Sequence, residues 1–313
     1  MVSSPRSQTR RVRTTRRHRL PIANDVLTTI GNTPLIHIDG VYCKLEYMNP
    51  SGSIKDRAAF SVVHEAETSG LLSPGDTIVE ASSGNTGISL AMVGALKGYR
   101  VIIVMPQNMS EERRVMMEAL GAEVILTSGE GSLAAAIQTA EQIGTQRRCF
   151  LTRQFSNPAN IRGQERMAQE IYDEIGPADA VVAGVGTGGT LMALASVMRH
   201  YNPEVKVIAV EPEESPVISG GPTAPTREHC IQGIGDGFIP DLLDLDIVDQ
   251  VITVSSEAAI VMARALGRKF GLLAGISSGA NMIAARQAAL IYPKVVTVAP
   301  DRAERYLSLK LLG

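Results

Sequence analysis

From residue 20 onward, short β-branched runs alternate with Ala-rich or amphipathic stretches, and this alternation limits what the chain can fold into. "TIVEA" (77–81), "RVIIVM" (100–105), "EVILT" (123–127) and "RCFLT" (148–152) read as strands. Between them, 86–97, 111–120 and 133–143 carry helical spacing, and another helix is expected over 161–175. The pattern resumes with strands "DAVVAG" (179–184) and "VKVIAVE" (205–211) around a helix at 189–200. A Gly/Pro-rich loop (212–240) leads to strand "QVITV" (250–254), helices 256–270 and 279–291, strand "KVVTVAP" (294–300) and a last helix from Ala303. Strands separated by helices of this length predict an α/β fold, with mostly parallel, doubly wound sheets covered on both faces. Such sheets bind ligands beyond the carboxyl ends of their strands.

Bulk properties narrow the function classes. The 313 residues are 44 % hydrophobic, enough for a large core and two domains. Trp is absent and aromatics are 4 %, which argues against stacking platforms for single-stranded nucleic acid. No apolar run reaches the ~18 residues of a membrane span. Cys43, Cys149 and Cys230 are scattered, with no CxxC pair, so neither a metal site nor a disulfide framework is expected and a reducing, cytoplasmic setting fits. The net charge of −2 hides an asymmetry: Arg6 to Arg19 holds seven arginines, and the first acid is Asp25. With those seven set aside, 23 basic residues face 32 acidic ones, about −9 for the rest. Residues 1–20 therefore read as a disordered basic arm outside the folded body. Their Arg, Ser and Thr content without acid also matches an organellar transit segment, and a start codon assigned too far upstream would give the same run.

One lysine and three glycine-rich loops carry the chemistry. Lys55 stands behind Ser51-Gly52-Ser53 where a helix begins, with Ser53 a natural N-cap. A helix start disfavours an ammonium, and Asp56 offsets this only in part. "ASSGNTG" (81–87) offers Ser82, Ser83, Gly84, Asn85 and Thr86 at a helix N-terminus, an anion site sized for a carboxylate or phosphate. "GVGTGGT" (184–190) presents Gly186, Thr187, Gly188, Gly189 and Thr190 to a phosphate. It also matches the dinucleotide pattern G-x-G-x-x-G, with Glu211 where a ribose-binding acid belongs. "AGISSGAN" (274–281) contains Ser277 and Ser278, plain helix caps or a hydroxyl for a ring nitrogen. A nicotinamide dehydrogenase explains the second loop alone. Pyridoxal phosphate accounts for the whole set: Lys55 for a Schiff base, 186–190 for the phosphate, Ser278 for the pyridine nitrogen, and 82–86 for the substrate carboxylate. A non-catalytic protein binding through its basic arm is the third possibility.

The ordered motifs "IGNTPL" (30–35), "KLEYMNPSGSIKDR" (44–57), "SSGNTG" (82–87), "MPQNMSEERR" (105–114), "QFSNPAN" (154–160), "GVGTGGT" (184–190), "IQGIGDGFIP" (231–240), residues 271–280 and "ERYLS" (304–308) resemble the cysteine synthase family. These are O-acetylserine sulfhydrylases, pyridoxal-phosphate-dependent β-replacement enzymes, and the resemblance spans about 26–310. It implies a tryptophan-synthase-β-like fold (type II of pyridoxal-phosphate enzymes). The expected domains are a smaller mobile one at 46–156 and a larger one from 21–45 plus 157–313. It further implies that Asn85 contacts the cofactor's ring oxygen, that Gln154 joins Ser82, Ser83, Gly84 and Thr86 on the substrate carboxylate, and that the chain is a homodimer. A serine at the ring nitrogen implies a largely unprotonated pyridine, a weaker electron sink that favours loss of a β-leaving group. The expected reaction replaces the acetyl group of O-acetyl-L-serine with sulfide; the alternatives are O-phosphoserine sulfhydrylation and cystathionine β-synthesis. Four departures bear on the substrates: Ser82 for a more usual Thr, a shortened hairpin between "TPLIHI" and "CKLE", Asp236 in "GIGDGF" where a small residue is common, and Asp301-Arg302 where many members have serines.

Overall fold

The computed structural model describes residues 23–128 and 133–308; the basic arm lies outside them. The chain opens with a hairpin of β1 (Leu35–Ile38) and β2 (Val41–Lys44). Its two-residue turn has Asp39 and Gly40 at φ 50° and 79°, the left-handed pair that matches strand twist in a tight hairpin. The shortened link read from the sequence is this turn.

Next come α1 (Lys55–Thr68), β3 (Thr77–Ala81), α2 (Asn85–Lys97), β4 (Arg100–Pro106), α3 (Glu111–Ala119), β5 (Glu123–Thr127), α4 (Leu133–Gly144), β6 (Cys149–Leu151) and α5 (Ala159–Ile175). Strands β5-β4-β3-β6 form one sheet, all parallel, with Val79 opposite Ile102 and Leu151. The rest of the chain supplies β7 (Ala180–Gly184), α6 (Gly189–Tyr201), β8 (Lys206–Pro212), β9 (Gln250–Val254), α7 (Ser256–Phe270), α8 (Ile276–Ala288) and β10 (Val295–Val298). The second sheet runs β1-β2-β10-β7-β8-β9, antiparallel only in the hairpin.

Both sheets are buried on both faces because side chains alternate along a strand. Ile78, Val101 and Ile103 enter one core, while Val79, Ala81, Ile102 and Val104 enter another. In the larger sheet, Ala180, Val182, Ile208 and Val210 face one side and Val181, Ala183, Val207 and Ala209 the other. This is the expected doubly wound α/β architecture. Local boundaries shift. Helix α8 starts three residues before 279, so Ser277 and Ser278 lie in its first turn, and its loop follows α7 rather than a strand. The last expected helix is one 3-10 turn, Ala303–Tyr306. No helix among the described residues is long and apolar enough to cross a membrane.

Candidate active site

Lys55 opens α1, and the backbone before it is fixed from a distance. Gly52 takes φ +94°, Ser53 bridges Asp301, and the Ile54 N–H donates to the Pro300 carbonyl at 2.8 Å. Ser53 Oγ accepts from the Lys55 N–H at 3.3 Å, but Ser53 is not the N-cap expected: the cap position is Ile54, which makes no side-chain capping bond. Asp56 is no partner for Lys55. Its carboxylate turns back to the Ser51 N–H at 2.7 Å and the Ser89 hydroxyl at 2.6 Å. The acids that act on Lys55 come from elsewhere: burial lowers the pKa of its amine, and Asp236 and Asp301 oppose that shift. Two residues on, Arg57 is locked by Glu46 and Glu170, each at 2.7 Å.

A cleft of about 790 Å³, counting its open mouth, lies between the two sheets and receives Lys55. Ser82, Ser83, Gly84, Asn85, Thr86, Gln154, Gly186, Thr187, Gly188 and Thr190 line it too; Gly189 and Ser278 do not.

In the first loop, Ser82 Oγ accepts from the N–H groups of Gly84 and Gly87 at 3.2 and 3.0 Å, so this hydroxyl caps the start of α2. Thr86 Oγ1 donates to Gln154 Oε1 at 2.6 Å, and Gln154 Nε2 donates to the Ala81 carbonyl at 2.7 Å. Asn85 is held at both ends of its amide: Nδ2 donates to Asp301 at 2.7 Å, and Oδ1 accepts from Arg305.

In the second loop the glycines are steric necessities. A Cβ on Gly186 would lie 2.1 Å from the Gly233 carbonyl, one on Gly189 2.5 Å from Asn160 Oδ1, and Gly188 takes φ +82°. The first amides of α6 have no intrahelical acceptor, so the loop is a preformed anion nest. Thr187 Oγ1 accepts from Asn160 at 3.0 Å and Thr190 Oγ1 donates to Gln164 at 2.5 Å. The dinucleotide reading fails at Glu211. Its carboxylate is 1 % exposed and accepts from the N–H groups of Ile218 and Ser219 at 2.8 and 2.9 Å, leaving nothing for a ribose.

Ser277 lines the cleft, while Ser278, buried one residue on, has an Oγ without any partner. Such a hydroxyl costs about 1–3 kcal/mol and is relieved by a ligand acceptor. A neutral ring nitrogen is one, a phosphate fits the glycine nest, and an amine with lowered pKa suits a carbonyl; the residues present fit pyridoxal phosphate. Among the described residues no cluster could hold a metal, and the three thiols are free.

Three polar side chains of the cleft were not among the sequence candidates. Arg113 reaches the Ser83 carbonyl at 3.4 Å and lies 5.0 Å from the Tyr306 ring, with a buried Nε that has no partner. Its motif carried no sign of this. Gln232 and Asp236 come from the long loop; Asp236 stood out only as a departure from the family motif.

The family model for pyridoxal-phosphate dependent enzymes matches residues 26–301, and the chain belongs to that family. Within it the chain is similar to the cysteine synthase of Staphylococcus aureus (strain N315), 44 % identical over 308 residues, 93 % of this chain and 97 % of the relative. Among solved structures, cysteine synthase from Entamoeba histolytica superposes with a TM-score of 0.88 at 39 % identity, covering 100 % of this chain and 93 % of that one. An O-ureido-L-serine synthase matches equally well, with a TM-score of 0.88, 38 % identity and coverage of 93 % and 95 %. The resemblance read from the motifs and its implied cofactor hold.

Proposed function

We propose that the chain is an O-acetylserine sulfhydrylase, replacing the acetyl group of O-acetyl-L-serine with sulfide to give L-cysteine and acetate. The observation that carries this is the convergence in one cleft of a lysine with lowered pKa, a glycine nest and a second anion-binding loop. The similarity to cysteine synthases supports it. Pyridoxal phosphate supplies an electron sink for the electrons released at the substrate's α-carbon. Lys55 would hold the cofactor through its amine, and that amine, once free, would be the base that takes the substrate's α-proton and returns it. The amides of Gly186 to Thr190, with the hydroxyls of Thr187 and Thr190, would bind the phosphate. Ser278 would donate to the ring nitrogen, and Asn85, its amide clamped by Asp301 and Arg305, would orient the ring oxygen. Ser82, Ser83, Gly84, Thr86 and Gln154 bind the substrate carboxylate, chiefly through backbone amides, since Ser82 Oγ caps its own loop. A smaller domain (46–156) carrying that loop closes on a larger one (21–45 and 157–313) and excludes water.

A second reading takes O-phosphoserine as substrate. Arg113, whose buried Nε lacks a partner in the cleft wall, favours it by offering a cation to a dianionic leaving group. A homodimer and a reducing, cytoplasmic location complete the proposal; the latter rests on the three free thiols. The test is acetate release from O-acetylserine by the cofactor-loaded protein, followed by cysteine formation on adding sulfide. Phosphate release from O-phosphoserine with no acetate release selects the second reading, and release of neither overturns both.

A further inference from the structure

Asp236 is the only acid among the described residues that line the cleft, and the reaction above does not use it. Its loop is built to hold one shape. Gly233, Gly235 and Gly237 take φ +92°, +69° and +84°. The Gly235 N–H donates to the Val185 carbonyl at 3.0 Å, and the Gly235 carbonyl lies 2.9 Å from His229 Nε2. Asp236 accepts no hydrogen bond from a described residue. The charges acting on it are Lys55, from α1, and His229, from its own loop; they oppose the upward push of burial on its carboxyl. On the same wall Gln232 Oε1 is buried without a partner. This cleft wall therefore offers two hydrogen-bond acceptors, one of which, the Asp236 carboxylate, can also take up a proton.

A hydrosulfide anion needs no base to add to carbon and is repelled by a carboxylate. A neutral thiol, or hydrogen sulfide itself, must lose a proton as its sulfur bonds, and a carboxylate helps it. We propose that Asp236 is the general base for the incoming nucleophile, so that this site takes a neutral, proton-bearing sulfur compound rather than the hydrosulfide anion. As the S–C bond to the substrate's β-carbon forms, the S–H bond breaks and its proton passes to Asp236. The electron pair of the α,β double bond, left after acetate departs, moves to the α-carbon, which takes the proton held by Lys55. This inference rests on the proposed β-replacement and specifies its second substrate.

The test is a competition. Cofactor-loaded enzyme with O-acetylserine is given 2-mercaptoethanol and sulfide together, and the thioether and cysteine products are counted from pH 6 to 9. Both products form on the same molecules, so their ratio does not depend on how much of a variant folds. Wild type should form the thioether, with a ratio that falls on the acid side as Asp236 takes up a proton. Asp236→Asn should lower the ratio by about 10²-fold, the lower end of what general base catalysis contributes, and Asp236→Glu should restore much of it. In the apoprotein, Asp236→Asn should move the pH dependence of pyridoxal phosphate uptake downward, because Lys55 loses a stabilising charge. An unchanged ratio in Asp236→Asn, or a wild type that makes no thioether, overturns the role of Asp236. A wild type that releases no acetate overturns the choice of substrate instead, and the same ratio measured from O-phosphoserine then decides the role of Asp236.

Discussion

Ser278 is a buried hydroxyl in the first turn of α8 that bonds to nothing in the protein. Its replacement separates folding from binding. Ser278→Ala should leave the thermal stability of the apoprotein unchanged or raise it by up to about 2 kcal/mol, because an unsatisfied hydroxyl is removed. The same variant should hold pyridoxal phosphate less tightly, as a titration of the apoprotein would show; a loss of apoprotein stability would mean the hydroxyl has a partner. Gly186→Ala should behave in the opposite way. Its Cβ would meet the Gly233 carbonyl at 2.1 Å, a backbone atom that cannot swing aside, so the apoprotein should lose about 1–3 kcal/mol and cofactor uptake should weaken with it. Lys55→Ala should trap no cofactor after borohydride reduction, as read by mass spectrometry, and should lose at least ~10³-fold in turnover.

The placement of Lys55 is settled at the scale of the element. Helix α1 is pinned to α5, where a Cβ on Gly163 would lie 2.5 Å from the Arg57 carbonyl, and to a buried ion cluster of Arg57, Glu46, Glu170 and Lys44. Arg57→Met should cost about 3–5 kcal/mol in chemical denaturation, since it strands Glu46 and Glu170 without their cation. The cluster also sets an acid limit. Burial alone would raise the Glu170 carboxyl, but Arg57, the Asn32 N–H and Lys44 hold it down at about 2. A carboxyl whose folded pKa lies below its unfolded value of about 4.3 adds stability above that value. That contribution drains away as pH falls from there toward 2, so wild type should lose stability through this window and Glu170→Gln should show a shallower slope.

Across the whole molecule, the two anion loops sit on different sheets, 82–86 after β3 and 186–190 after β7, and the cleft opens between them. A ligand filling the cleft therefore touches loops of both sheets. Pyridoxal phosphate at 100 times its dissociation constant should stabilise the fold by about 2.7 kcal/mol, seen as a raised Tm, and O-acetylserine should add a further rise only when cofactor is present. Much of this arrangement is legible along the chain. The alternation of β-branched and helical stretches dictated parallel sheets buried on both faces, because the two periods of 2 and 3.6 residues are local properties of the backbone. The glycine loops were equally readable, since positive φ and close backbone approach are demands a short segment makes on its own residues, whereas β1 and β2 were not among the strands expected. The helix start near Ser53 shifted by one residue and that near Ser278 by three, because the chain there is held by Pro300 and by the packing of α8, not by its own caps.

The sequence by itself thus determined the layered α/β architecture, the identity of the loops and the set of chemical groups available. Only the tertiary structure decided how those groups are spent. Asp56, next to Lys55 in sequence, serves Ser51 and Ser89, while Asp236 and Asp301, remote in sequence, are the acids that act on the lysine. Glu211, in register for a ribose, is consumed by two backbone amides. Asn85 is clamped by residues more than two hundred positions away. The reason is physical: electrostatic and hydrogen-bond partnerships depend on distance in space, and that distance is set by the order of strands in a sheet, which no local pattern encodes.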